Sequence, residues 1–143
     1  MSGGRPFPTL RVRIPVAWGE QDGFGHLNNI VYFRHMESAR MHFLRVTGVL
    51  DLHQCTGVGV ILAATDCRFL APVQWPDTLT VETGVTHLGN TSFTMDYVLT
   101  NTAGTVVAEG EAVLVMYDYP KATKVPVPDT LREAMQGPFT DIR

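Results

Sequence analysis

The chain has few of the features that mark a disulfide-stabilised, membrane-spanning or nucleic-acid-binding protein. Its two cysteines, Cys55 and Cys67, form no CxxC pair and follow no recognisable secretory signal. No apolar run approaches the ~20 residues that span a bilayer. With 11 Lys and Arg against 14 Asp and Glu, the net charge is −3, and no basic stripe predicts a nucleic-acid partner. We therefore expect a cytoplasmic protein with two free thiols that binds neither membrane nor nucleic acid.

The length and composition are those of one folded domain. The 143 residues fall within the usual size of a single domain, and hydrophobic residues make up 45% of the chain. No internal repeat or low-complexity segment divides it. We expect one domain over residues 1–143, with residues 1–9 as a flexible arm rich in Gly and Pro and residues 129–143 as a tail with a short helix.

The hydrophobic periodicity predicts one strand, one long helix and then several more strands. Alternation from Leu10 to Val16 is typical of a strand with one buried face, and Pro15 indicates an edge or a strand end. After a glycine-rich segment the period changes to that of a helix, with Asn28 or Asn29 as its cap and Gly48 at its end. The apolar stripe of this helix is Tyr32, Met36, Ala39, Phe43 and Val46. Further strands are predicted at 58–69, 78–88, 91–100 and 105–117, and a short helix at 130–135.

This order of elements favours an α+β fold with a curved antiparallel sheet. The last three strands are joined by short turns, so they pair antiparallel. A helix of roughly 18 residues is ~27 Å long. It covers five strands only if the sheet curves around it. We therefore predict a five-stranded antiparallel sheet wrapped on one long central helix.

The densest group of reactive polar residues lies just before this helix. The group consists of Glu20, Asp22, His26, Asn28 and Asn29. The first N–H groups of a helix have no partner within it and can stabilise an oxyanion that forms on an acyl carbonyl. A carboxylate beside them can attack that carbonyl or activate a water molecule. The alternative is that Asp22 and His26 only hold a turn, since Asp, Asn and Gly are common turn formers.

The segment 18–40 resembles the signature of the 4-hydroxybenzoyl-CoA thioesterase family, a group of hotdog-fold acyl-CoA thioesterases. That signature is roughly D-x-x-G-H-x-N-N-x-x-Y followed by E-x-x-R. The matching residues are Asp22, Gly25, His26, Asn28, Asn29, Tyr32, Glu37 and Arg40. The similarity continues through RFLAPVQWPDTLTVET and LGNTSFTMDYVL and so covers about residues 10–128.

The resemblance implies the hotdog fold and hydrolysis of acyl-CoA by a homodimer or homotetramer, without metal or cofactor. Coenzyme A would be part of the substrate. Asp22 would be the nucleophile or general base, the backbone N–H near Asn29 the oxyanion donor, and His26 a supporting residue or a purely structural one. Gly25, Asn28 and Tyr32 would help to bind the substrate.

The chain departs from the family pattern where coenzyme A phosphates are expected. Some relatives have basic residues in the hairpin that here contains Asn90, Thr91 and Ser92, which we still assign to substrate binding. Arg68, Lys121 and Lys124 are the candidates for the phosphates, and the sequence does not decide between them. We assign Arg68 to substrate binding, and each of these charges is otherwise an ordinary solvated one.

Other candidate sites are weaker. Glu37 is the alternative catalytic acid, because a different hotdog group uses a helix glutamate, but it lies about 12 Å along the axis from the donors at Asn29. Its spacing to Arg40 allows an ion pair along the helix, so we favour a structural role. His35 and His42 lack a third ligand at metal spacing, so no metal site is predicted. Two rival functions remain, a non-catalytic module that binds acyl-CoA or lipid and a structural oligomerisation domain.

Overall fold

The structure, a computed structural model, describes residues 7–142, so most of the predicted flexible arm lies outside the described residues. The strands are β1 (Leu10–Pro15), β2 (Val58–Phe69), β3 (Thr78–Leu88), β4 (Ser92–Thr100), β5 (Val106–Asp118) and β6 (Thr123–Lys124). The helices are α1 (Asn29–Thr47), α2 (Val49–Thr56) and α3 (Asp129–Ala134), with a single 3-10 turn at Trp18–Glu20.

All strand pairs are antiparallel, and the long strands lie in the order β1-β3-β4-β5-β2. The two-residue β6 pairs with the end of β5. Register shifts occur at Leu62/Ala64 in β2 and at Val85/His87 in β3. Such bulges increase the local twist and bend a strand. The curved five-stranded sheet around one long helix is confirmed.

The helix α1 packs its apolar face into the concave side of the sheet. Tyr32, Met36, Ala39 and Phe43 are buried, as the periodicity predicts. The prediction is wrong for Val46, the last residue of the stripe, because 45% of this residue is exposed and Thr47 is buried instead. The hydroxyl of Thr47 donates to the carbonyl of Phe43 at 2.7 Å, which satisfies it inside the core.

Both predicted ends of α1 are confirmed. Asn28 is the N-cap, and its side-chain oxygen accepts from the N–H of Ile30 at 3.0 Å. Gly48 ends the helix with φ of 95°, a left-handed conformation that glycine adopts without steric cost. The sequence reasoning missed α2, which begins directly after this glycine and buries only Val49.

One edge of the sheet is covered and the other is open. The C-terminal segment runs beside β1, where the N–H of Ile142 donates to the carbonyl of Arg11 at 2.7 Å. The N–H of Arg13 donates back to Ile142 at 3.2 Å. At the opposite edge, β2 pairs only with β5 within residues 7–142. Its exposed apolar side chains include Ile61, Leu62 and Phe69.

Within residues 7–142, no helix is both long enough and apolar enough to cross a membrane. Cys55 and Cys67 are both free thiols, as predicted.

Candidate active site

The loop between β1 and α1 is held in place by backbone hydrogen bonds at both of its ends. The N–H of Val16 donates to the carbonyl of Asp77 at 2.9 Å, and the N–H of Leu27 donates to the carbonyl of Val73 at 2.7 Å. Gln21 and Leu27 also form an isolated antiparallel bridge. The loop is therefore fixed against the segment between β2 and β3.

Within this loop, Asp22 orders a tight turn. Its backbone N–H donates to the carbonyl of His26 at 2.7 Å. One carboxylate oxygen, Oδ1, accepts from the N–H of Phe24 at 2.8 Å and from the N–H of His26 at 3.4 Å. No hydrogen bond to the other oxygen, Oδ2, is found in the described part of the chain. Asp22 thus holds the turn through one oxygen and keeps the second for other partners.

Glu20 supports the loop through its hydrogen bonds and is not among the residues that line the cavity described below. Its Oε1 accepts from the N–H of Ala17 at 2.7 Å, and its backbone carbonyl accepts from the N–H of Asn28 at 2.9 Å. Its Oε2 lies 3.8 Å from the Arg34 guanidinium. The bond from Asn28 to Glu20 thus fixes the position of Asn28, the residue that caps α1.

A cavity of about 260 Å³ lies between this loop, the start of α1 and the end of β2. Its lining includes four of the predicted site residues, Asp22, His26, Asn29 and Tyr32. We call it the site cavity. The N–H of Asn29, at the first position of the helix, donates to no acceptor among residues 7–142, whereas the next two N–H groups donate to Asn28. The site cavity is therefore lined both by Asp22 and by Asn29, the residue whose backbone N–H has no acceptor in the described range.

The sequence reasoning did not identify the wall of the site cavity contributed by the end of β2. Phe69, Leu70, Ala71 and Pro72 form this wall. The ring of Phe69 meets that of Tyr32 edge-on, with centroids 5.0 Å apart. The sequence signals that could have indicated this wall were Phe69 at the end of a predicted strand and Pro72 three residues later.

The remaining predicted substrate-binding residues do not line the site cavity. Gly25 and Asn28 form the turn and the helix cap. Arg68 is exposed on β2, where its guanidinium lies 3.7 Å from both Asp66 and Glu109.

The start of β3 adjoins the loop that contains Asp22. Asn90, Thr91 and Ser92 follow the other end of this strand. The 11 residues of β3 correspond to roughly 35 Å of extended strand. Lys121 and Lys124 are exposed around β6, also at that far end. Within one chain, these residues therefore cannot act together with Asp22.

The predicted helix ion pair is also absent. Glu37 and Arg40 form no ion pair in the described range, although both line a second cavity between α1 and β2. No cluster of three or more His, Cys, Asp or Glu side chains that could hold a metal occurs in residues 7–142.

The chain matches a family model and several solved structures. The model for the thioesterase-like superfamily matches residues 16–135. A proposed thioesterase of Pseudomonas aeruginosa is 31% identical, with 87% of this chain and 96% of that chain covered and a TM-score of 0.79. A Thermus thermophilus thioesterase complexed with coenzyme A and Zn is 28% identical, with 92% and 99% covered and a TM-score of 0.79. A 1,4-dihydroxy-2-naphthoyl-CoA thioesterase from Synechocystis is 19% identical, with 89% and 95% covered and a TM-score of 0.79; this likeness shows the fold alone.

The structure predicts that the two thiols differ in reactivity. Burial, with a further contribution from the charge of Asp66, raises the pKa of the Cys67 thiol to about 11. At pH 8 only about 0.1% of Cys67 would be thiolate, the form that reacts with alkylating agents. We expect iodoacetamide at pH 8 to modify the exposed Cys55 at least about tenfold faster than Cys67. Peptide mass spectrometry over time measures both rates, and equal rates would contradict the assignment.

Proposed function

The chain belongs to the thioesterase-like superfamily and is a thiolester hydrolase with the hotdog fold, and we propose that it hydrolyses acyl-CoA with Asp22 as the nucleophile or general base. The observation that supports this proposal is the site cavity, which Asp22 and Asn29 line together. Solved relatives include a thioesterase complexed with coenzyme A, which supports coenzyme A as the carrier of the acyl group.

The proposed reaction divides between two groups. The thioester carbonyl oxygen accepts the N–H of Asn29, which polarises the carbonyl and stabilises the tetrahedral oxyanion. Asp22 either attacks the carbonyl carbon or removes a proton from the water that attacks it. The carbon–sulfur bond then breaks, the thiolate of coenzyme A leaves and takes up a proton, and the acid is released. If Asp22 attacks, water hydrolyses the resulting anhydride in a second step.

The neighbouring side chains have supporting parts in this proposal. Tyr32 and Phe69 form the apolar wall next to the carbonyl, and burial raises the pKa of Tyr32, so its hydroxyl stays protonated and can donate. His26 lies beside Asp22 in the site cavity, where it can orient the thioester.

The cytoplasmic location stays a prediction.

We further propose that two copies pair through β2. An open strand edge presents unpaired N–H and C=O groups that favour pairing with another strand, and twofold closure is the commonest solution. Antiparallel pairing of two β2 strands would bring the Asn90 end of one copy toward the Asp22 end of the other. The hairpin residues and Lys121 or Lys124 of the second copy would then approach the site cavity, which the single chain does not allow. A tetramer would be two such pairs.

Replacement of Asp22, the proposed nucleophile or general base, tests the function directly. Asp22→Asn keeps the side-chain oxygen that accepts from Phe24 and removes the charge and the base. We expect a normal fold and a loss of about 10²-fold or more in kcat. The measurement is free thiol release from a panel of acyl-CoA thioesters, with circular dichroism as the control for folding. Full activity of Asp22→Asn would remove Asp22 from the mechanism, and inactivity of the wild type on every thioester would favour a non-catalytic binding module.

The oxyanion donor can be deleted without altering the helix. Proline is well tolerated at the first position of a helix, and Asn28 already has the extended conformation that precedes proline, with φ of −63° and ψ of 138°. Asn29→Pro removes the N–H, and Asn29→Ala removes only the side chain. We expect Asn29→Pro to lower kcat by about 10²-fold and Asn29→Ala to stay within a few-fold of the wild type. Equal activity of the two variants would show that this N–H is not the donor.

The pairing surface is tested by two matched substitutions. Ile61 on β2 and Val106 on β5 are each 38% exposed, and only Ile61 lies on the open edge strand. Sedimentation should give the wild type a mass of two or four times 15.8 kDa. Ile61→Lys should shift it toward 15.8 kDa at equal concentration, and Val106→Lys should not. A wild type that sediments as a single chain would refute the pairing.

A further inference from the structure

Tyr32 is a deeply buried side chain of the site cavity whose hydroxyl has no partner in the fold. The residue is 3% exposed and lines the site cavity together with Asp22 and Asn29. No hydrogen bond to its hydroxyl is found among residues 7–142. A phenol on a buried side chain ordinarily finds a hydrogen-bond partner, so the unpaired hydroxyl of Tyr32 calls for an explanation.

The Tyr32 hydroxyl is not sealed inside the core. The buried side-chain polar atoms without a partner in the described chain are Nδ1 of His35 and Oγ1 of Thr83. The hydroxyl of Tyr32 is not one of them, so it reaches accessible space, and the site cavity is an accessible space that Tyr32 lines. A hydroxyl that is both unpaired and accessible is free to bond to a molecule in that cavity.

Tyr97 shows how the same fold treats a tyrosine hydroxyl with a structural part. This residue is 1% exposed and lines neither the site cavity nor the second cavity. Its hydroxyl accepts from Nη1 of Arg40 at 3.1 Å and donates to the sulfur of Met95 at 3.8 Å. The fold thus supplies partners for the hydroxyl that it buries completely, and it leaves the one at the site cavity free.

Helix geometry places Tyr32 on the face of α1 that carries Asn29. Tyr32 lies three residues later, about 4.5 Å along the axis, and residues at this spacing are neighbours on the helix surface. Long helix side chains lean back over the turn that precedes their own Cα, which here is the turn that begins at Asn29. On the other side, the ring of Phe69 meets the Tyr32 ring edge-on, with centroids 5.0 Å apart. The phenol is therefore held between α1 and β2.

We infer that the Tyr32 hydroxyl is a second oxyanion donor, which donates to the thioester carbonyl oxygen together with the N–H of Asn29. The inference rests on the proposed function and completes its oxyanion site, because oxyanion holes of acyl-transfer enzymes typically have more than one donor. Burial, with a further contribution from Cys67, raises the pKa of Tyr32, so the hydroxyl is protonated at neutral pH. It keeps its proton throughout, so the bonds that form and break in the proposed reaction stay the same.

His26 is the other side chain of the site cavity that could donate to the carbonyl. It is half-buried and lies on the loop, whereas Tyr32 is held between a helix and a strand. A donor stabilises an oxyanion best when its position is fixed before the charge develops. We therefore assign the second donor to Tyr32.

Two matched tyrosine variants test the assignment. Tyr32→Phe removes the hydroxyl and keeps the ring that contacts Phe69. We expect kcat on the acyl-CoA panel to fall about 10²-fold with KM changed at most a few-fold, because the hydrogen bond strengthens as the oxyanion forms. Its Tm should stay within about 2 °C of the wild type, since the hydroxyl has no partner in the fold. Tyr97→Phe should do the opposite, with a Tm several degrees lower and kcat within a few-fold of the wild type.

A spectroscopic measurement separates a donor from a residue that only shapes the cavity. Phenacyl-CoA and 2-oxoheptyl-CoA are thioethers of coenzyme A that carry a ketone close to the position of the thioester carbonyl and cannot be hydrolysed at it. A hydrogen bond to the ketone lowers its infrared C=O stretching frequency. We expect this frequency to be lower in the wild type than in Tyr32→Phe and in Asn29→Pro, and equal in the wild type and Tyr97→Phe.

Four outcomes would overturn the inference. Wild-type kcat in Tyr32→Phe, or a raised KM alone, would show that the hydroxyl does not stabilise the transition state. A Tm loss in Tyr32→Phe as large as that in Tyr97→Phe would make the hydroxyl structural. A C=O frequency that changes in His26→Gln and not in Tyr32→Phe would assign the second donor to His26. These three results leave the proposed function intact, whereas a wild type that hydrolyses no thioester of the panel would remove both.

Discussion

The first N–H of a helix has no acceptor within the helix, and the rest of the site depends on the position of this N–H in the fold. Here Asn28 caps the second N–H through its side chain, and Asn29, whose own N–H has no acceptor in the described range, lines the site cavity. The hydrogen bond from Leu27 to Val73 ties the start of the helix to the segment that follows β2. The same tie brings the apolar end of β2 against Tyr32. Position, electrostatics and shape of the site thus follow from one fixed helix end.

The structural interpretation of the site loop is compatible with the catalytic one, which stays a prediction. Asp22 is a turn former, with Oδ1 accepting from Phe24 and His26. It also lines the site cavity, which is the placement that catalysis needs. Because the turn consumes one oxygen and fixes the carboxylate, the structural part is a condition for the proposed chemical one. A side chain that only formed the turn would not need to face a cavity.

The sequence predicted most of the architecture because the strongest signals were local. The strands, the Asn28 cap, the Gly48 end and the helix stripe up to Phe43 depend on residues a few positions apart, and all are confirmed; only Val46 at the end of the stripe is exposed. The wall at Phe69 and the remote position of Asn90 depend on contacts between distant segments, which periodicity does not report. The missing pair between Glu37 and Arg40 has a similar cause, since Arg40 turns toward the core to reach Tyr97 on β4. The catalytic roles themselves remain predictions.

The C-terminal segment beside β1 has a consequence for solubility at high concentration. A sheet with two free edges can add copies at both ends and grow without limit, as in a fibre. Here Ile142 occupies the carbonyl of Arg11 and the N–H of Arg13, so another strand cannot bond to that edge at these positions. A molecule with a single reactive edge has a valence of one, and its association stops once that edge is used. If copies pair through β2, as proposed, removal of residues 141–143 would free the β1 edge as well and allow association to continue from both edges.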